Sequence, residues 1–403
     1  MALTSEWKFV ELGDLVEFTS GGTPRKNNPS YWNGTIPWIS AKNMKTERIT
    51  DSSLHISYEG LHAGSKTAPN DSILFLTRGS ELFNRVPICL VENDVAFNQD
   101  VKCLTPKKGV NILFVFYSLL SQVDTLLKKV ESTGIGAGKF DTNVLKSLPV
   151  FLPPDDIQQE IVSLVDSISQ LILINKKINH HLEQIAQAIF KSWFVNFEPW
   201  GGTVPSKWKD TTLGDLCTLI SKGITPKYDD SSDQIVVNQR CIRNRSIDFS
   251  LARRHKPKVI NEKWLHYGDV LINSTGEGTL GRAAQFLLNA DNITADSHVT
   301  IIRPSSEELF AYIGLWCLSH EALFASMSSG STGQTDLPRE QLKLLDVMRP
   351  DIETLWNFSS TVAPLIKKRI ECIRESAQLA SLRDTLLPRL MSGEVSVTDL
   401  TAK

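Results

Sequence analysis

Polar and apolar positions along this chain alternate between two textures. In the first, short apolar runs are cut by turn residues: SILFLT at 72–77, VPICLVEN at 86–93 and VKCLT at 101–105, then DVLINST at 269–275, AAQFLLN at 283–289 and VTIIR at 299–303. Runs of this length bounded by Gly, Asn, Asp and Pro predict strands of a mixed sheet. Ile112–Lys129 and Glu307–Ser326 predict the intervening helices. In the second texture, apolar residues recur at heptad spacing. After Pro153-Pro154 and Asp155-Asp156, a helix-start signal, no Pro or Gly occurs before Glu198. Ile161, Ile168, Asn175, Leu182 and Ile189 stand at one heptad position, and Leu164, Leu171, Ile178 and Ile185 three residues later. This spacing predicts a coiled-coil seam, with Asn175 as a polar residue that pins register.

A second long helix is predicted from about Ile352 to Leu387, with Ile366, Ile370, Ile373, Ala377, Ala380 and Leu387 along a slimmer seam. Pro364 inside it predicts a kink or two pieces, and Gly393 a stop. Two seam-bearing helices in one chain can fold back as an antiparallel coiled coil. The predicted shape is a dumbbell whose rod, from Ile161 to Ile189, rises roughly 42 Å at about 1.5 Å per residue, enough to span about one turn of B-form DNA.

The chain also repeats itself. WKFVELGDLVEF near the start is answered by WKDTTLGDLCTL, pairing Trp7, Leu12, Gly13 and Asp14 with Trp208, Leu213, Gly214 and Asp215, an offset of 208 − 7 = 201. Thr23-Pro24 is answered by Thr225-Pro226. At the far ends, Ser132, Gly134, Leu148 and Pro154 align with Ser328, Gly330, Leu344 and Pro350, an offset of 350 − 154 = 196, so the second copy is shorter by five. The predicted fold is α+β: two mixed, β-rich bodies at 1–152 and 199–349, helical spacers at 153–198 and 350–393, and a tail at 394–403, related as a pseudo-two-fold internal repeat.

At 403 residues, 41% hydrophobic and 22% charged, the chain can bury a core in each half. Six scattered cysteines without CxxC spacing fit reduced, cytoplasmic thiols, and neither a disulfide framework nor a zinc site is expected. No apolar run approaches the ~18 residues of a membrane span, and the start has no secretory pattern, so a soluble, cytoplasmic protein is expected.

The net charge is −2, so any basic footprint must be local. In the second copy it runs from Asn238 to Lys263: Arg240, Arg243, Arg245, Arg253, Arg254, Lys256, Lys258 and Lys263 against Asp248 and Glu262. In the first, Arg25, Lys26, Lys42, Lys45 and Arg48 stand among Tyr31, Trp32 and Trp38. Arg, Asn and Gln read base edges while Lys mainly holds phosphate. Candidate DNA contacts are therefore Arg25, Lys26, Lys42, Asn43, Lys45, Arg78, Asn98 and Gln99 in the first copy. In the second they are Asn238, Gln239, Arg240, Arg243, Arg245, Arg253, Arg254, Lys256 and Lys258. A charge run can equally be a solvated face.

Catalytic patterns are weak. Gly276-Glu277-Gly278-Thr279-Leu280-Gly281 matches a dinucleotide-binding spacing, but its repeat, Thr77-Arg78-Gly79-Ser80, does not. Gly134–Lys139 resembles a phosphate loop, but Thr133 and Phe140 stand where Gly and Ser or Thr belong. Asp94, Asp100 and Lys102 are the best case for a metal-dependent nuclease, with too few acids for a two-metal site. His180-His181 lie on different sides of a helix. Nothing forms a metal cage or a nucleophile with its base; the residues predict a reader rather than a catalyst. A DNA nuclease and a coiled-coil scaffold that binds no DNA are the alternatives.

The order of elements, with SGGTPRKNNPSYWNGTIPWIS, LEQIAQAIFKSWFVNFEP and LRDTLLPRLMSGEV, closely resembles the specificity subunit of type I restriction-modification systems over about residues 1–393. The resemblance implies two target-recognition domains, each reading half of a split DNA sequence, on a helical spacer that docks two methyltransferase subunits. In such complexes those subunits flip and N6-methylate adenines with S-adenosylmethionine, and restriction subunits add ATP- and Mg-dependent translocation and cleavage. This chain would hold no cofactor of its own, since Leu152-Pro153-Pro154-Asp155 only superficially echoes the methylase motif. The outer faces of the helices are the expected docking surface. Phe190, Trp193, Phe194 and Phe197 are candidates for it, or for packing against a body.

Overall fold

The apolar runs become strands because each is bounded by residues that turn the chain. The structure, a computed structural model, describes residues 7–134, 136–256, 261–327 and 336–401. Its contacts divide the chain into two compact units, Met1–Leu173 with Ala377–Lys403, and Ile174–Ser376. By this division each long helix has one part in each unit.

In the first unit, among the described residues, one sheet has the order Val16–Ser20, Val101–Pro106, Ile73–Leu76, Ile88–Val91 and Arg48–Ile49. A second has the order His55–Ile56, Ile36–Ile39, Val95–Phe97 and Thr67–Ala68. Ile73–Leu76 and Ile88–Val91 are buried on both faces, which explains their unbroken apolar character. The second unit repeats this with Cys217–Lys222, Val299–Pro304, Val270–Asn273 and Ala283–Gln285 in one sheet, and Arg253–Arg254, Ile235–Val237 and Ile293–Ala295 in another.

Backbone hydrogen bonds register the duplication more finely than residue identity does. Leu12 N donates to Leu148 O at 2.9 Å, and Leu213 N to Leu345 O at 2.9 Å. Leu148 therefore corresponds to Leu345, not to Leu344, which is 71% exposed. The offset at the far end is 345 − 148 = 197, and the second copy is shorter by four residues rather than five. The matching partners Ser328 and Gly330 lie outside the described residues.

The first long helix, Asp155–Phe194, departs from strict heptads. Ile161, Val165, Ile168, Ile172 and Asn175 are buried, then Glu183, Ala186 and Phe190. From Ile161 to Asn175 these positions recur in alternating steps of four and three, the heptad period of a coiled-coil seam, before one step of eight to Glu183 shifts the buried line. Leu171 and Ile185, expected in the seam, are 45% and 47% exposed. Leu164, Ile178, Leu182 and Ile189 are half-buried. An 18-residue window of this helix has mean hydropathy 1.2, enough by length and composition to cross a bilayer, where a count of uninterrupted apolar runs found none. Its inward residues are instead spent on cores: Ile161, Val162 and Val165 join Leu387, Leu390 and Met391 in the first unit, and Ala186 and Phe190 join Leu355, Phe358 and Val362 in the second. Each such Val, Leu, Ile, Phe or Met side chain contributes about 1.5–3 kcal/mol when fully buried.

The second long helix, Ile352–Met391, runs through both Pro364 and Pro388 as one element, although sequence placed its end near Leu387. Its buried line is Leu355, Phe358, Val362, Arg369 and Cys372 in the second unit, then Leu387 and Leu390 in the first. The predicted seam lies largely one residue to the side: Ile366, Ile370, Ile373 and Ala380 are half-buried and Ala377 is exposed, while Leu387 is buried. The shift comes from Arg369 and Ser376, which face inward but carry no apolar signal, together with the buried Cys372. In the second unit Asn175 Nδ2 donates to Glu375 Oε2 at 3.0 Å and Phe190 meets Phe358, so the helices run antiparallel there.

Candidate nucleic-acid interface

In the first unit, strands Ile36–Ile39 and Val95–Phe97 are parallel neighbours, and both chains turn at the same end. Asn98 N donates to Ile39 O at 2.9 Å. The loop 21–25 closes over this end: Gly22 N donates to Phe97 O at 2.9 Å, Trp38 Nε1 to Gly22 O at 3.1 Å, and Thr23 Oγ1 to Gln99 Oε1 at 2.6 Å. Gly21 permits the approach, since a Cβ there would lie 2.2 Å from Phe97 O. Arg78 enters from a short edge strand whose backbone N–H donates to Asp100 O at 3.2 Å, with Lys139 opposite it in antiparallel register.

The second unit builds the same frame from different side chains. Ile235–Val237 and Ile293–Ala295 are parallel, Asp296 N donates to Val237 O at 2.9 Å, and Ser274 N donates to His298 O at 2.8 Å, just as Thr77 N donates to Asp100 O at 2.8 Å. Gly223 corresponds to Gly21, its absent Cβ 2.0 Å from Ala295 O. Asp296 accepts from His298 N at 2.9 Å, the same turn that Asn98 makes with Asp100 N at 3.2 Å. Burial raises the Asp296 carboxyl above its ordinary value, opposed by that backbone hydrogen bond and the nearby His298. At the surface of this frame Thr275 Oγ1 is hydrogen-bonded to Gln239 Oε1 at 3.1 Å and His298 Nδ1 at 2.8 Å, and Lys222 Nζ holds both Asp336 carboxylate oxygens at 2.7 Å.

The candidates sort accordingly. Arg25, Lys26, Lys42, Lys45, Arg78 and Gln99 lie exposed in the first unit, with Lys42 and Lys45 in the loop leaving Ile36–Ile39. Gln239 and Arg240 leave the equivalent strand in the second. Asn43, Asn98 and Asn238 each make internal hydrogen bonds. Asn43 Oδ1 accepts from Ser40 N at 3.1 Å, and its amide donates to Ser53 Oγ at 3.3 Å. Asn98 is buried in its turn. Asn238 accepts from Arg240 N at 2.9 Å and donates to Leu251 O at 3.1 Å. These bonds hold the loops.

Arg245 has a structural role. It occupies a tight turn with φ +56°, donates to Glu183 of the first long helix at 2.9 Å and to Glu321 at 3.2 Å, and so clamps helix to body. The first unit has its own clamp: Arg48 pairs with Glu92 at 2.6 Å and with Asp166, Tyr117 donates to Asp166 at 2.7 Å, and Arg383 holds Glu47 at 2.9 Å through both oxygens. Arg253 stacks on Tyr228 at 3.4 Å and Arg254 donates to Ser232 O at 2.7 Å, on the opposite edge of the Ile235–Val237 sheet from Ile293–Ala295. Arg243 donates to Arg240 O at 2.9 Å, and Lys256 is exposed beside that edge. Lys258 lies outside the described residues. Sequence missed Thr23, Lys139, Thr275 and His298, whose signal was their correspondence across the repeat rather than any motif.

The chemical alternatives find no common geometry. Asp94 accepts from Asn70 N at 2.8 Å before strand Val95–Phe97, while Asp100 follows it and Lys102 bonds Ser20. Gly276, Gly278 and Gly281 all have positive φ and lead into strand Ala283–Gln285 rather than a helix. Phe190, Trp193 and Phe194 stack with Tyr312 and Phe358, and Phe197 with Trp208, so these aromatics pack against their own body.

A family model described as the type I restriction modification DNA specificity domain matches residues 4–184. The MjaIX specificity subunit of Methanocaldococcus jannaschii, a type I restriction enzyme subunit, is 26% identical over 431 residues, covering 99% of this chain and 95% of that one. The EcoR124I/EcoR124II specificity subunit of Escherichia coli is 32% identical over 168 residues, 41% of each chain. The crystal structure of the type I restriction-modification S subunit from M. genitalium shares the fold, with TM-score 0.52 at 15% identity over 97% of this chain and 98% of that one. With two copies of one body, two long helices and a relative matched nearly from end to end, the chain is similar over its whole length to the specificity subunits of type I restriction-modification systems, and residues 4–184 match that family's DNA specificity domain.

Proposed function

We propose that each unit reads one half of a bipartite DNA target, using the surface at the carboxyl ends of its parallel strand pair. The observation that carries this is the repeated frame itself: the same backbone hydrogen bonds recur in both units, while the exposed side chains on them differ, as two different half-sites require. Phosphate contacts would come from the exposed lysines and arginines, and base contacts from the few polar groups aimed outward. The chain acts as the recognition subunit and leaves chemistry to others. Two methyltransferase subunits would dock on the outer faces of the long helices, where Leu171 in the first unit and Ile174 and Ile185 in the second stay exposed. S-adenosylmethionine would be held by those subunits, ATP and magnesium by any restriction subunit, and the assembly would work in the cytoplasm.

Mapping methylated adenines in cells with and without this chain tests the reading. The expected result is one bipartite motif that disappears with the chain, and exchange of residues 1–150 for another family member's should alter a single half-site. An unchanged methylation pattern, or both half-sites changing together, would overturn it.

A further inference from the structure

The matched frames identify which positions correspond without using residue identity. Arg78 corresponds to Thr275, Asp100 to His298 and Lys139 to Asp336, because Thr77 and Ser274 bond the preceding turn alike, and Phe140 N and Leu337 N donate to them at 2.9 Å in both units. Arg78 and Lys139 face each other across antiparallel strands, as Thr275 and Asp336 do.

The chemistry at these positions differs in kind. In the first unit two cations oppose each other, an arrangement that costs stability in a sheet. Glu131 stands on the far side of Lys139, yet among the described residues neither Arg78 nor Lys139 has an ion-pair partner. They present donors only. In the second unit Gln239, Thr275 and His298 form a chain through one hydroxyl, which has a single proton to give. If the imidazole Nδ1–H donates to Thr275, the hydroxyl donates to Gln239 Oε1, leaving the Gln239 amide as a donor and a neutral His298 Nε2 as an acceptor. With the chain reversed, the hydroxyl donates to His298 Nδ1 and the Gln239 amide turns over so that its NH2 donates to Thr275 Oγ1; Gln239 Oε1 is then the outward acceptor and His298 Nε2–H the donor. Either direction offers one donor beside one acceptor. In the major groove guanine shows two acceptors, N7 and O6, whereas adenine shows the acceptor N7 beside the donor N6.

Resting on the proposed DNA-reading function, the geometry points to a division of labour: Arg78 and Lys139 select a guanine in one half-site, and Gln239 with His298 selects an adenine in the other. The test uses the full chain with its methyltransferase subunits and maps methylated adenines for wild type, Arg78→Ala, Lys139→Ala, Gln239→Ala and His298→Ala. The first two should relax a guanine in one half-site and the last two an adenine in the other, each lowering discrimination by roughly 10- to 100-fold. Thr275→Val, which keeps shape but breaks the chain, should relax the same adenine. Variants that fold and weaken binding equally for all sequences, with both half-sites intact, would overturn the assignment while leaving the bipartite reading standing. A wild-type complex that methylates no bipartite motif would overturn both.

Discussion

Replacing Arg245 with alanine separates two roles for one residue. As a DNA contact it would be dispensable for folding; as a clamp it neutralises Glu183, whose side chain is only 7% exposed. Two opposite charges about 4 Å apart attract by about 4 kcal/mol at an effective dielectric near 20, and removing one member of a buried pair typically costs about 3–5 kcal/mol. Arg245 is itself 35% exposed, so solvent screens part of this, and the buried Arg369 still acts on Glu183. We expect a net loss of about 2 kcal/mol, or about 4–8 °C in the melting temperature of a unit this size. Urea unfolding followed by tryptophan fluorescence reports it, since Trp193, Trp208 and Trp316 lie in or against the second unit's core. The double variant Arg245→Met with Glu183→Met should recover most of the loss, because it leaves no unpaired buried carboxylate. Wild-type stability in Arg245→Ala, together with weaker DNA binding and a salt slope reduced by about one, would refute the clamp.

Other outcomes follow from local geometry. Gly21→Ala should push the loop 21–25 off Phe97 and weaken only one half-site, and Gly223→Ala only the other, as read by methylation mapping; equal loss at both half-sites would contradict the separate frames. Asn238→Ala removes two internal hydrogen bonds and should lower stability by about 1–3 kcal/mol in denaturation experiments. Asp351 caps the second long helix, accepting from Thr354 N at 3.2 Å, Thr354 Oγ1 at 2.8 Å and Trp208 Nε1 at 3.1 Å. Asp351→Ala should cost about 1–2 kcal/mol. Burial pushes the Asp351 carboxyl up, but these bonds outweigh it and hold the carboxyl below its ordinary value. The stabilisation is therefore full above the unfolded carboxylate pKa and lost as pH falls through the depressed one, so wild type and variant should converge in acid.

The sequence by itself determined the duplication, the strand-forming runs and the two long helices, because each is a local property: apolar period, turn residues and the lack of breakers act within a few positions. It also localised the basic segments. What it misjudged depended on which neighbour a side chain meets. Leu171 reads as apolar yet stays exposed, Arg369 reads as surface yet is buried, and Arg245 looked like part of a DNA-binding run until Glu183 was seen beside it. Asn43, Asn98 and Asn238 carry the right groups for reading bases, and within their own turns those groups also hold the loops. Conversely, Thr275 and His298 gain meaning only when strands distant in sequence set them against Gln239. Arg245, Thr275 and His298 meet partners 23 to 76 residues away, a separation that leaves no periodicity in the chain, and for that reason only the tertiary structure decided how those polar groups are paired.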